Sequence, residues 1–182
     1  MNINPAQIID YWYSDEMRKH WFASTPELDT EIKSNYQAVW ECAGSGQLDE
    51  WKTTPEGCLA LAIILDQLPL NMFRGEPRSF KTEIKAIEIA IFAVDNGFDK
   101  KISSDKLPFL FMPLMHSEKL EHQELSVKLF EQHDLQSNLK FAKHHRDIVK
   151  KFGRFPHRNK ILGRESTKEE LEYLESKNAF KG

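Results

Sequence analysis

At 182 residues, with 40% hydrophobic and 29% charged residues and only eight glycines and eight prolines, the chain is long enough for one buried core and too apolar to be disordered. Lysine and arginine total 25 against 28 acidic residues, so the formal charge of −3 excludes the basic footprint of a general nucleic-acid binder. The longest apolar run, Cys58–Leu65, is far shorter than the ~20 residues of a membrane-spanning helix. Cys42 and Cys58, with no signal-like start after Met1, read as reduced thiols of a cytoplasmic protein.

Apolar residues recur at three and four almost everywhere, which predicts an all-α fold of stacked antiparallel helix hairpins in one domain, residues 1–182. Asn4-Pro5 supplies an N-cap and a proline at the first helical position, opening a short helix through Ile8, Ile9 and Trp12. Thr25-Pro26 repeats the device for a helix ending near Gly44. Thr54-Pro55 opens another, expected to stop at about Leu68 because Pro69 follows. The segment from about Arg78 to Asn96 is apolar on two sides and is expected to be central.

Leu107-Pro108-Phe109-Leu110-Phe111-Met112-Pro113 is read as an apolar linker packed against the helices. Ser117 is expected to cap a helix to about His133, and a further helix spans about Ser137 to Phe152, closed by Gly153. Ser166 with Glu169 forms an expected capping box for a last helix, Thr167 to Lys177. Thr82 and Glu83 read as a solvated helix edge. The aromatics Trp12-Tyr13 and Trp21-Phe22 read as anchors for the first helices.

Residues Phe152–Glu165, FGRFPHRNKILGRE, concentrate Arg154, Arg158 and Arg164 with His157 and Asn159. A guanidinium carries five fixed donors and stays charged, so such a cluster requires carboxylates, phosphates or aromatic faces. Several polar side chains also fall on apolar helical stripes. Asp66 lies in line with Leu59 and Ile63, Gln123 with Val127 and Phe130, and His145 with Phe141, Ile148 and Phe152. A carboxylate on such a stripe needs a charged partner. These intrusions suggest that Asp66, Gln67, His116, Glu118, Gln123 and His145 converge on a polar pocket with the arginine segment as its rim.

The chemistry at hand is limited. His116, Glu118 and His122 give H-x-E-x3-H, which lacks the spacing that sets two histidines on one helical face, so no metal site and no cofactor are expected. His116, Glu118 and His145 are the candidates for acid–base work by residue type alone.

Several blocks resemble the bacterial domain-of-unknown-function family 924: DYWY at Asp10–Tyr13, HWF at His20–Phe22, LAIILDQLPLNMFRG at Leu59–Gly75, MPLMHSE at Met112–Glu118, Gln123-Glu124, and FGRFPHRNKILGREST at Phe152–Thr167. The resemblance implies a tetratricopeptide-repeat-like helical fold and carries no activity. It places Asp66, Gln67, Asn71, Arg74, His116, Ser117, Glu118, Gln123, His145, Arg154, His157, Arg158, Asn159, Arg164 and Glu165 within recurring blocks. This chain departs from the pattern at Leu70, where similar sequences usually carry arginine, and at His122, where an acidic residue is common.

Three functions remain open on the sequence. The first is a binding module in which Arg154, Arg158 and Arg164 hold an anionic small molecule or peptide group. The second is a hydrolase or transferase acting on an anionic substrate, with His116 or His145 as acid–base. The third is a structural network in which Asp66, Glu118 and Glu165 satisfy the arginines internally. Oligomeric state is not legible, and neither a nucleic-acid nor a membrane partner is expected.

Overall fold

The computed structural model describes residues 3–182 and is all-α, with no strand among them. The chain divides into two compact units. One runs to Arg74 and resumes over Arg78–Pro113; the other comprises Gly75–Pro77 and Leu114–Gly182.

In the first unit α1 (Pro5–Trp12), α2 (Asp15–Arg18), α3 (Pro26–Gly44) and α4 (Pro55–Ala62) all start as their sequences dictate. The side chains of Asn4, Ser14, Thr25 and Thr54 each accept a hydrogen bond from an amide in the first turn they cap, satisfying a donor that has no partner inside the helix. α4 is the central element. Every residue from Gly57 to Leu68 is buried, and α1, α6 (Glu83–Asp95) and the 3-10 turn Asp49–Thr53 pack on it. Gly57 permits that closeness, because a Cβ there would overlap the Trp51 carbonyl.

The helix does not stop before Pro69. It widens into a π turn over Ile63–Gln67, in which the Leu68 amide reaches back to Ile63 O, and then continues as α5 (Leu68–Met72). The reason lies in a distant hydroxyl. Proline has no amide hydrogen to offer the carbonyl four residues earlier, here Leu65. Thr82 supplies the missing donor, its Oγ1 lying 2.6 Å from Leu65 O, and in turn accepts the Trp40 indole N–H at 2.9 Å. Thr82 is therefore buried and not on a solvated edge.

Two further expectations change. Leu107–Pro113 is not a linker but the body of α7 (Leu107–His116); an all-round apolar run is what a fully buried helix looks like, and Pro108 sits at its start, where no amide is needed. Nor is α6 enclosed on all sides, since Ile84 is 74% exposed and Phe92 is also solvated. Phe109 on α7 meets the edges of Trp12, Tyr13 and Trp21, so those three anchor the N-terminal helices, whereas Phe22 projects into solvent.

In the second unit α8 (Leu120–Gln132) and α9 (Gln136–Phe152) pack along each other, joined by a three-residue link in which Asp134 takes a left-handed conformation with φ 54°. Ser117 does not cap α8. The cap position is Lys119, and Ser117 Oγ accepts the Lys119 amide while bonding His122 Nδ1 at 2.8 Å. Gly153, with φ 69°, ends α9 as its sequence predicts. The final helix, α10 (Lys168–Glu175), is capped one residue later than expected, by Thr167 with Glu170 completing the box.

Thr82→Val keeps the side-chain shape but strands both the Trp40 N–H and the Leu65 carbonyl. It should lower stability by about 2 kcal/mol. Urea unfolding at neutral pH measures this, and a loss within 0.5 kcal/mol of zero, on the order of surface substitutions, would contradict the relay.

Candidate functional site

The arginine segment leaves α9 at the left-handed Gly153, makes one 3-10 turn over Pro156–Arg158, and returns on itself through the Arg164 amide, which donates to Asn159 O at 2.8 Å. Two carboxylates organise it. Glu118 receives Arg164 through Nη1 at 2.6 Å and Nη2 at 2.8 Å, and also accepts the Phe155 amide at 2.8 Å. Glu170 receives Arg154 through Nε at 2.6 Å and Nη2 at 2.8 Å, together with the Thr167 amide and the Asn159 side-chain amide.

Asn159, almost wholly enclosed, links the two. Its Oδ1 accepts from Arg164 Nε while its Nδ2 donates to Glu170 and to Ser166 Oγ. Arg158 is buried, lies over the Phe155 ring, and donates from Nη2 to the His116 carbonyl at 2.8 Å.

The electrostatics follow from these contacts. Burial tends to raise the Glu118 pKa, but the Arg164 donors, the Phe155 amide and the Arg158 charge outweigh it and hold the carboxyl below its usual range. The Arg154 donors, opposed by burial and helped by the Thr167 amide and Asn159, take Glu170 down to about 2. Both acids are anionic partners for arginine at neutral pH. Neither is poised to exchange protons.

The histidines are set the other way. His145 is buried with Nδ1 2.8 Å from Phe141 O, and burial, reinforced by the nearby His116, lowers its pKa to about 3. Burial also lowers His157 to about 4, with Arg158 adding to the effect and Glu118 opposing it. Both rings are therefore neutral at pH 7. They stand among aromatic rings: His145 lies 5.5 Å from Phe155 and 4.3 Å from Phe180, and His157 lies 5.6 Å and 4.9 Å from the same two centroids.

The remaining candidates divide between the units. Asp66 and Gln67 are buried in the π turn of the first unit, and the Gln67 amide donates to Asp66 Oδ2. Asn71 donates to Gln67 O and accepts from Arg74, whose guanidinium also pairs with Asp29. In the second unit Gln123 is fully enclosed and donates twice, to Met115 O and Ser117 O, both at 2.6 Å, while its Oε1 meets no donor. Glu118, His116, Gln123, His145 and the arginine segment thus belong to the second unit, and Asp66, Gln67, Asn71 and Arg74 to the first.

Three features escape the sequence reading. Glu170, only 2% exposed, is a principal acid of the segment, and Glu165 contributes only its carbonyl, to Arg154. The clue was present in the register of the capping box, which the sequence reading set one residue too early. The second is the Ser117–His122 contact, whose hydroxyl is buried and also accepts the Lys119 amide. The third is an open hollow of about 400 Å³ beside the segment. Pro156, Leu171 and Leu174 form its apolar lining, and His157, Lys160, Ser166 and Lys181 supply the polar atoms.

Among the described residues no group of three His, Cys, Asp or Glu side chains is disposed to hold a metal, and no helix is long and apolar enough to cross a membrane. The chain is thus an all-α protein whose second unit holds a partly buried arginine–carboxylate network, with neutral histidines beside it. The chain belongs to the family described as bacterial protein of unknown function (DUF924), whose model matches residues 8–178. It is also similar to a solved protein of unknown function from Agrobacterium tumefaciens, at 35% identity and a TM-score of 0.86, over 94% of this chain and 96% of that one. Among curated proteins none matches the chain.

Glu170→Gln removes the charge that Arg154 and the helix cap share. Since Arg154 retains some solvent, the expected loss in urea unfolding is about 2–3 kcal/mol, toward the low end for breaking a buried pair. A loss below 0.5 kcal/mol would show that the network adds nothing to stability.

The histidines also set a pH dependence. A neutral buried imidazole with a pKa of about 3 or 4, against roughly 6.5 when unfolded, means the unfolded chain binds more protons in between, so stability falls as pH drops below neutrality. The urea midpoint should decrease from pH 7 to pH 5 as the unfolding free energy falls by roughly 2 kcal/mol at most for each histidine, and decrease less in His157→Gln. An unchanged wild-type midpoint across that range would contradict this.

Proposed function

We propose that this protein is a binding module for a small ligand that combines an anionic group with an apolar body, taken up at the hollow of the second unit. The observation that carries this reading is a contrast between cations. Arg154 and Arg164 are each engaged by a carboxylate in two-point contact, whereas Lys160 and Lys181 at the hollow have no ion pair among the described residues. A lysine without a local acid is a point charge available to a carboxylate or phosphate, and Leu171 and Leu174 offer surface for an alkyl or aryl part. The role foreseen for the arginines passes to these lysines, while Arg154 and Arg164 pair with Glu170 and Glu118.

The acid–base reading draws no support from this geometry. His145 is enclosed, its Nδ1 is taken by a carbonyl, and Glu118 is filled by Arg164 and an amide.

Thermal melts in millimolar octanoate, octyl phosphate and octanol test the proposal. Octanoate or octyl phosphate should raise the melting temperature by about 3 °C at ten times its dissociation constant, and octanol should not. The doubly substituted Lys160→Glu, Lys181→Glu protein should lose the response. An equal response in that variant, or none from any anion in the wild type, overturns the proposal.

A further inference from the structure

The C-terminal residues fold back from α10 onto the histidines. After Glu175 the chain is exposed over Ser176–Asn178, then turns inward so that the Phe180 ring contacts both His145 and His157. The slot it occupies is otherwise walled by Phe155, which belongs to a small apolar core with Ile148 and Val149. Lys181, the next residue, lines the hollow, and His157 lines both hollow and slot. One imidazole therefore borders both spaces.

We infer that the slot between His145, Phe155 and His157 is a subsite for a flat aromatic group of the anionic ligand, and that Phe180 occupies it until the ligand arrives. This rests on the hollow being the anion site. The ligand class becomes aryl carboxylates or aryl phosphates, with the ring in the slot and the charge near Lys160 and Lys181.

Three observations support the assignment. The slot accepts a planar ring edge-on or tilted against two imidazoles and a phenyl, the arrangement aromatic quadrupoles favour. Phe180 is an imperfect occupant, because His157 Nδ1 is buried there with no hydrogen-bond partner and a phenyl ring cannot give it one. A ligand ring bearing a donor or acceptor could. Its tether is also light: the Phe180 amide donates to the Tyr173 hydroxyl at 2.9 Å, and the preceding turn is solvated.

The ionisable groups that act electrostatically on the two imidazoles are His116, His144, Arg158, Glu118 and Arg164, of which Glu118 and Arg164 are paired with each other, and Gly182 lies against the His157 ring.

The test titrates 2-naphthoate and octanoate into the wild-type chain, Phe180→Ala and Tyr173→Phe, following binding by calorimetry. Both variants keep Lys181, and Tyr173→Phe loosens the tether without emptying the slot. Phe180→Ala should bind 2-naphthoate at least fivefold tighter than the wild type, Tyr173→Phe should shift the same way, and octanoate should change less than twofold in either.

Unchanged or weaker 2-naphthoate binding by two variants that still melt cooperatively overturns the slot while leaving the hollow to stand on its octanoate response. Loss of the cooperative melt in both variants also overturns it, since Phe180 is then integral core and not a replaceable occupant. Absence of binding by either acid to any of the three proteins removes slot and hollow together.

Discussion

The geometry of the second unit depends on two carboxylates, Glu170 buried and Glu118 half-buried. Glu118 and Glu170 lie on separate helical elements, one in the link between α7 and α8 and one in the first turn of α10, and each draws an arginine from the segment between α9 and α10. Removing a carboxylate from water costs several kcal/mol unless it is matched by charge and by hydrogen bonds to its remaining lone pairs. Both acids meet that condition, each with a bidentate guanidinium and a backbone amide. Asn159 then ties the pairs into one network, which fixes the segment's course together with the apolar core around Phe155.

The network decides which cations face outward. Arg154 and Arg164 form architecture, and what reaches solvent beside them is lysine on an apolar hollow, next to imidazoles that burial keeps neutral. A neutral ring wall with point charges at its edge suits a different ligand from a guanidinium cradle. The cradle would favour compact, multiply charged anions; the hollow, on the proposed function, would take a single charge on an apolar frame.

Much of the fold was legible because it was written locally. Proline after Asn or Thr announced the starts of α1, α3 and α4, and Gly153 announced the end of α9, since caps and left-handed positions depend on a few neighbouring residues. Where the sequence misled, a distant group had overridden the local signal. Pro69 read as a stop because Thr82, thirteen residues later, could not be foreseen as the donor for Leu65. The prolines of α7 disguised a buried helix as a linker. At the site, the sequence located the arginine segment and its partner Glu118, yet a slip of one residue in the cap register concealed Glu170 as a mere surface acid. Lys160 and Lys181 carried no signal at all, because what sets them apart is their place at the hollow, and that is a property of three dimensions.

The relay from Trp40 through Thr82 to Leu65 also bears on the order in which this core can change. Pro69 creates the carbonyl that Thr82 satisfies, so losing the threonine first leaves an orphaned acceptor in the centre of the first unit. Replacing the proline first restores an amide that can take over that carbonyl, after which the threonine answers only to the indole. The two positions, remote along the chain, form one unit of inheritance with an open route in one direction and a barrier in the other.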